Sequence, residues 1–540
     1  MKKIKILLGI IITVIAFTSC NDYLEEENLS NVAAEEFYLT EEGFESLITA
    51  NYSQLREIYG DEPWLFSAGT DLYAEGRQQE PPGLSQYSQL TPSSEGVEYL
   101  YDQGYEAIQI ANMALHYSEI TEQNDEVDLR VGEIKYLRAN AYFLLVQTYG
   151  GVPLVTDYIS DVVLEFDRSS AEEIYDFIIS ELEGSLSLVE GGNYIGRVNK
   201  RAVRHLLAKV YLTRAYEEYG SPSDFETAAN YADEAIAGQE LNLSFEELWW
   251  PGNDLNEEVI FSVQFDQSSV STDPQNLGHT QSSFFGPAFG GVENAGIEPY
   301  RTFTLVPTGC AVDLFEEGDD RWEGTFMVEM YEQYYDFYRV QDHSNLAVLH
   351  YYAPKWENSP ADQAAYEAEH PEAVYHPYGT YFPEVSRNFD YYNIAIRKFD
   401  DPGAPYGEGR VSTRDIILSR LGETYLIAAE AYLMAGNNAT GLERLNVVRE
   451  RANADPATLS EFTIDYILDE RGRELMGEYH RWFDLKRTGK LVERASACHY
   501  LIEESNFEGA NGELKILRPI PQLAIDLNRN PNFQQNPAYQ

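Results

Sequence analysis

The chain has 540 residues, 44% of them apolar, enough for a large core and, at about 150 residues per domain, for three or four domains. It carries 38 basic and 90 acidic residues, a formal charge of −52 spread along its whole length. That balance argues against nucleic acid as a partner, since nothing would neutralise phosphates, and reads as a solvated surface suited to salty water.

Lys2, Lys3 and Lys5 precede an apolar run from Ile6 to Phe17 that only Gly9 and Thr13 interrupt. A bilayer takes roughly 20 helical residues, so the run is too short to span one and predicts a signal peptide over residues 1–19. In Phe17-Thr18-Ser19-Cys20 a small residue stands just before a cysteine, which resembles a bacterial lipoprotein box. It implies cleavage before Cys20 and acylation there, a lipid anchor without a spanning helix. A plain secretory signal cleaved nearby is the alternative. Cleavage at Cys20 leaves 35 basic against 90 acidic residues, a formal −55. Residues 20–39 read as an acidic tether.

Residues 40–240 read as an N-terminal helical part. Thr40-Glu41-Glu42 predicts an N-cap with acids in the first turn of a helix to about Tyr59, stopped by Gly60. Residues 61–95, with Pro63, Pro81-Pro82-Gly83 and Pro92, read as loop. Helices follow at about 97–118 and 126–149, the second with Ile134, Leu137, Ala141, Leu144 and Thr148 on one stripe. Ser170-Ala171-Glu172-Glu173 is a capping box for a helix to about Val189. Residues 199–219 and 223–237 predict a helical hairpin.

From 241 to 410 the helical period fades. This insert holds 31 Phe, Trp and Tyr in its 170 positions, about 18% against 13% overall, so it is an aromatic-rich segment between two helical parts. Val259-Ile260-Phe261-Ser262-Val263 reads as a strand. Loops on a rigid scaffold are where binding residues collect.

Residues 411–540 form a C-terminal helical part. A helix opening at about Thr413 carries Leu418, Leu421, Tyr425, Ala428 and Tyr432 on one face. Gly436 is the expected left-handed cap and Asn438 an N-cap for the next helix, with Leu442, Leu445, Val448 and Arg449. A third helix holds Ile464, Ile467, Leu468, Arg471, Leu475 and Met476. The first pair matches the earlier hairpin at one constant offset, with identity at Ala215/Ala431, Tyr216/Tyr432, Gly220/Gly436 and Asn230/Asn446. Recurring helix-turn-helix units with small residues at the contact read as tetratricopeptide-like repeats; chance similarity of two amphipathic hairpins is the plainer alternative.

Catalytic signatures are missing: no G-x-S-x-G elbow, no H-E-x-x-H, no P-loop, no G-x-G-x-x-G. With 90 acids, close carboxylate pairs arise by chance and carry no weight as glycosidase pairs. Asp319-Asp320 and Asp400-Asp401 follow no EF-hand pattern, so no metal and no cofactor is expected. Cys310 and Cys498 could pair in an oxidising compartment or remain two unpaired, half-buried thiols.

A set of segments points further. Leu137-Arg138-Ala139 with Tyr149-Gly150-Gly151-Val152-Pro153-Leu154, then Glu423, Tyr425-Leu426, Ala429-Glu430-Ala431, Asn446 and Val448-Arg449 belong to it. So do Glu470-Arg471, Arg473-Glu474-Leu475, Arg481-Trp482-Phe483-Asp484-Leu485, Pro519-Ile520-Pro521 and Gln535-Asn536-Pro537-Ala538-Tyr539. Together they resemble the SusD/RagB family of Bacteroidetes outer-membrane nutrient-binding lipoproteins, over essentially the whole mature length. Gly477, Tyr479 and Ala538 depart from the family pattern. The acidic run after Cys20 likewise resembles the surface-export signal of Bacteroidetes lipoproteins. The resemblance implies a mostly α fold: a tetratricopeptide-like helix-hairpin scaffold with an irregular, aromatic-rich insert containing a few short strands. It implies a lipid-anchored protein of the outer membrane, facing the exterior, that binds an oligosaccharide or polysaccharide and hands it to a SusC-like TonB-dependent transporter. Some relatives take peptides instead. No catalysis is implied, and Arg449, Arg471, Glu474 and Asp484 are expected in structural ion pairs.

A sugar ring offers an apolar C–H face and a rim of hydroxyls, which aromatic rings and carboxylates, amides or arginines match. The loop from Trp64 to Arg77 has that mixture in Trp64, Asp71, Tyr73 and Arg77, and the insert adds Trp356, Phe284-Phe285 and Tyr378. Core packing is the competing role for each aromatic. Against this binding lipoprotein stand a glycan-degrading enzyme, which predicts turnover, and a scaffold for protein partners only, which predicts no glycan affinity.

Overall fold

The computed structural model describes residues 34–76, 82–266, 278–286, 305–386, 393–403 and 412–540. Helix α1 is Glu41–Tyr59, capped by Thr40, whose Oγ1 accepts the Gly43 N–H at 3.1 Å. Then come α2 (Val97–Ser118), α3 (Val127–Tyr149), α4 (Ala171–Leu188), α5 (Lys200–Arg214) and α6 (Pro222–Ile236). The capping box at Ser170 is formed, and a second one at Ser221 precedes Pro222. Each helix packs on the next, so one apolar stripe after another is covered. Helix α3 lies mid-stack and is buried on nearly all faces from Tyr136 to Tyr149, which is why that stretch is mostly apolar, with Arg138 paired to Glu181 on α4.

The remaining helices are α7 to α12. Helix α7 (Pro360–Glu369) lies within the insert; α8 (Leu421–Met434), α9 (Asn438–Arg451), α10 (Ile464–Glu474), α11 (Arg481–Arg487) and α12 (Leu491–Cys498) end the chain. The two hairpins matched in sequence, α5/α6 and α8/α9, stack directly on each other through α6 and α8. Their shared core is built of small residues, Ala228, Ala229 and Ala232 against Ala428 and Ala431, with Leu212, Leu426 and Leu445. Arg444 and Tyr432 both reach Asp233 across this contact, at 2.8 and 2.6 Å. Gly436 takes the expected left-handed backbone, φ +81°.

The short strands are β1 (Tyr73–Glu75), β2 (Val259–Val263), β3 (Leu305–Pro307), β4 (Phe326–Met327), β5 (Glu329–Tyr331), β6 (Val348–Tyr352), β7 (Val374–His376), β8 (Ala395–Ile396) and β9 (Ile416–Arg420). They make small sheets, β1-β3, β2-β9, β4-β8 and β5-β6-β7, with β6–β7 parallel and the other pairs antiparallel. Two local expectations change. The helix expected from Thr413 opens at Leu421, because β-branched Ile416 and Ile417 extend to pair with β2, Val263 opposite Ile416. The supposed loop over 61–95 contains a helical turn, Trp64–Ser67, strand β1 and a second turn, Pro82–Gln86.

Two devices fasten the insert to the C-terminal helices. Cys310 and Cys498 are bonded, with Cα atoms 5.6 Å apart, so of the two possibilities open in the sequence the disulfide holds. The other is a buried ion network. Arg321, fully buried, pairs with Asp319 (2.8 Å), Glu470 (2.7 Å) and Glu474 (3.1 Å). Glu470 also holds Arg449 and Arg473, each at 2.7 Å; Glu474 also holds Arg420, at 2.6 Å, and Arg451. Beside it Arg471 pairs with Asp484 at 2.7 Å, and Asp484 with Arg487 at 2.8 Å. Burial alone would raise these carboxyls, but the surrounding guanidiniums hold Glu470 and Asp484 down at about 2. The four signature residues Arg449, Arg471, Glu474 and Asp484 are therefore structural, as expected.

Candidate functional site

Trp322 stands on a five-residue helical turn, Arg321–Thr325, whose other flank carries Arg321 into the ion network. The turn thus presents one wall of an open cleft of about 720 Å³ while its neighbour is locked to α10. Trp322 packs against Phe326 and Phe315 and meets Trp356 edge-on at 5.7 Å. Asp320, on the rim, is fixed by Asn453 at 2.5 Å.

The opposite wall comes from β5, β6 and α7. Glu329 on β5 lies opposite Tyr351 on β6, and α7 lays Tyr366 flat on Tyr351, with ring centroids 3.9 Å apart and planes 13° apart. Two phenols donate to one carboxylate: Tyr366 to Glu329 Oε1 at 2.7 Å and Tyr331 to Oε2 at 3.0 Å. Tyr351 donates to Glu357 at 2.6 Å. Burial, reinforced by these carboxylates, holds all three phenols well above their usual range, so they remain protonated donors. Phe337 and His343 stack at the end of the cleft, 4.4 Å apart, and the Arg397 guanidinium lies 4.5 Å over the Phe337 ring. Arg397 donates to Glu246 Oε1 at 2.8 Å and to the Glu323 carbonyl at 2.5 Å.

Of the residues singled out in sequence, Trp356 lines this cleft. Trp64, Asp71 and Tyr73 do not: their side chains are committed to the core. Trp64 is 3% exposed, packs over Gly96 and donates to Glu62 at 2.5 Å. Asp71 is clamped by Arg481 at 2.7 and 2.5 Å, and Tyr73 on β1 packs against Phe285. Phe285 is buried and Tyr378 packs on Phe382, away from the cleft. Cys20 and Arg77 lie outside the described residues. Trp322, Tyr351 and Tyr366 were missed individually. The aromatic enrichment of the insert marked their segment, but Tyr351 and Tyr366 become a pair only through the packing of α7 on the β6–β7 sheet. Asp319 is spent on Arg321, and Asp400 accepts from Tyr334 and Tyr338, both at 2.8 Å. Among the described residues no group of three or more His, Cys, Asp or Glu could hold a metal ion, and no helix is long and apolar enough to cross a membrane.

A stack of helical hairpins carrying an aromatic cleft on an irregular insert is an architecture of the tetratricopeptide-like class. Residues 257–539 match the SusD family model, and residues 22–212 match a model described as starch-binding associating with outer membrane. The chain belongs to the SusD family. It is 25% identical to SusD-like protein P38 of Formosa agariphila, across 100% of this chain and 99% of that one. It is 26% identical to the starch-binding protein SusD of Bacteroides thetaiotaomicron, across 87% and 83%. The surface glycan-binding protein A of Bacteroides thetaiotaomicron, solved in complex with laminarihexaose, shares the fold with a TM-score of 0.67 at 20% identity, across 92% of this chain and 99% of that one.

Proposed function

We propose that this chain is a lipid-anchored protein of the cell surface that captures a glycan in the cleft and delivers it to a SusC-like TonB-dependent transporter. One observation carries the reading: a cleft of about 720 Å³ that the half-buried rings of Trp356 and Tyr366 line, backed by the buried Trp322 and Tyr351, with Glu329 and Glu357 at the ring edges. Rings take the C–H faces of sugars, and the carboxylates take their hydroxyls by charge-assisted bonds. The rings are braced before any ligand arrives, so little ordering is lost on binding. The names of the relatives, starch-binding and in complex with laminarihexaose, support the ligand class. Cys20 supplies the anchor, and the function breaks no bonds.

Affinity electrophoresis of the mature chain against starch, laminarin, xylan and mannan tests this. We expect retardation by at least one glycan, and a loss of about tenfold in Trp356→Ala with the melting temperature kept within about 1 °C, as for a half-buried ring. Equal binding by Trp356→Ala would move the site elsewhere. Depolymerisation of the bound glycan by the purified chain would replace the binding role with an enzymatic one. Radiolabelled palmitate should enter the wild-type chain in a bacterial host and not Cys20→Ser.

A further inference from the structure

The geometry points to an uncharged or amine-bearing glycan as the occupant of the cleft, and against one carrying uronate or sulfate groups. This rests on the cleft being the glycan site. Its lining holds six carboxylates, Glu246, Asp319, Asp320, Glu323, Glu329 and Glu357, against a single guanidinium, Arg397. Among the described residues Asp319 is paired with Arg321 and Glu246 with Arg397, which leaves Asp320, Glu323, Glu329 and Glu357 outside any ion pair. Glu329 and Glu357 accept hydrogen bonds from phenols and Asp320 from an amide, all neutral donors that leave the negative charge in place.

Arg397 does not offset them for a ligand. Its guanidinium is bonded to Glu246, its Nε is spent on the Glu323 carbonyl, and Phe337 covers one face. His343, the remaining basic ring, is tied by Nε2 to the Phe337 carbonyl. In a cleft of only about 720 Å³ these carboxylates lie within about one Debye length of any bound ring. Apolar walls of tryptophan and tyrosine focus their field rather than disperse it. A sugar hydroxyl or ammonium meets ready acceptors there, whereas a uronate or sulfate meets like charge.

The test uses the mature chain in affinity electrophoresis with three sets of probes: neutral (laminarin, starch, xylan, mannan), amine-bearing (chitosan) and anionic (alginate, polygalacturonate, fucoidan). The expected result is Trp356-dependent retardation by a neutral or amine-bearing probe and none by the anionic ones. Trp356-dependent retardation by an anionic probe overturns the charge selectivity while leaving the glycan-binding reading intact. Failure of every probe overturns the glycan-binding reading, and this inference with it. A second variant reads the charge directly. Glu246→Gln/Glu323→Gln removes two negative charges, one of them the carboxylate paired with Arg397, and leaves the Glu323 carbonyl that holds Arg397 Nε in place. It should raise binding of a carboxymethylated derivative, relative to its neutral parent glycan, about tenfold at low salt, and less at high salt. An unchanged ratio would overturn the inference.

Discussion

Glu474 on α10 is the most exacting place to probe the architecture. Its Oε1 accepts from Arg420 at 2.6 Å and from Arg451, and its Oε2 from Arg321 at 3.1 Å, all fully or almost fully buried. Burial works against its charge, yet Arg451, Arg420 and Arg321 hold the carboxyl far below the usual range. Glu474→Gln keeps the shape and removes the charge. Breaking a buried pair by removing one partner costs about 3–5 kcal/mol. Here Arg321 keeps Asp319 and Glu470, Arg420 keeps Glu478, and Arg451 keeps Glu258, so the loss falls at the low end, about 3 kcal/mol. With an unfolding entropy on the order of 1 kcal/mol/K for about 500 ordered residues, the melting temperature drops by about 3 °C. Calorimetry and urea denaturation followed by tryptophan fluorescence measure both. Glu493→Gln, which breaks the exposed contact to Lys490 at 3.0 Å, is the control and should leave both curves in place. A loss below about 1 kcal/mol in Glu474→Gln, or one equal to the control, would refute the view that this charge bears on stability. Because Arg321 adjoins Trp322, the same variant should also weaken glycan retention.

Three further outcomes follow from the packing. Cys310→Ser/Cys498→Ser opens a loop of 188 positions, worth about 5 kcal/mol in the chain-entropy picture. The melting temperature should fall by several degrees, and an identical melt with and without reductant would mean that the bond does not form. Trp64→Ala should cost about 3–5 kcal/mol, since the ring is buried over Gly96; lost glycan retention at unchanged stability would instead put Trp64 at the ligand. Glu470 and Asp484 titrate near 2 in the folded chain and near 4 when unfolded. Their contribution is complete above about pH 4 and is lost as the pH falls towards 2, so urea midpoints should drop across that interval, and a flat profile contradicts the assignment.

The scaffold was legible because its signals are local. Thr40, Ser170 and Gly436 cap where their side chains or backbone freedom dictate, and the hairpin match at Ala215/Ala431 reflects small residues that let α6 approach α8. The site was legible only as a region. Whether a ring is core or platform depends on partners far away in sequence: Asp71 meets Arg481 across 410 positions, and Tyr73 meets Phe285. Nothing in the segment from Trp64 to Arg77 announces those partners, so its loop-like composition suggested exposure. The run Ile416-Ile417-Leu418 fits a helical stripe as well as a strand, and only β2 alongside decides.

The bond between Cys310 and Cys498 also imposes an order of events. It cannot close until translation has passed position 498, when the aromatic insert and the helices around it have all been made. In a reducing compartment the insert is held to α12 by noncovalent contacts alone, and the chain stays in the more easily unfolded of its two forms. Oxidising surroundings then act on it as a curing agent, joining the insert to α12 only once both have been made.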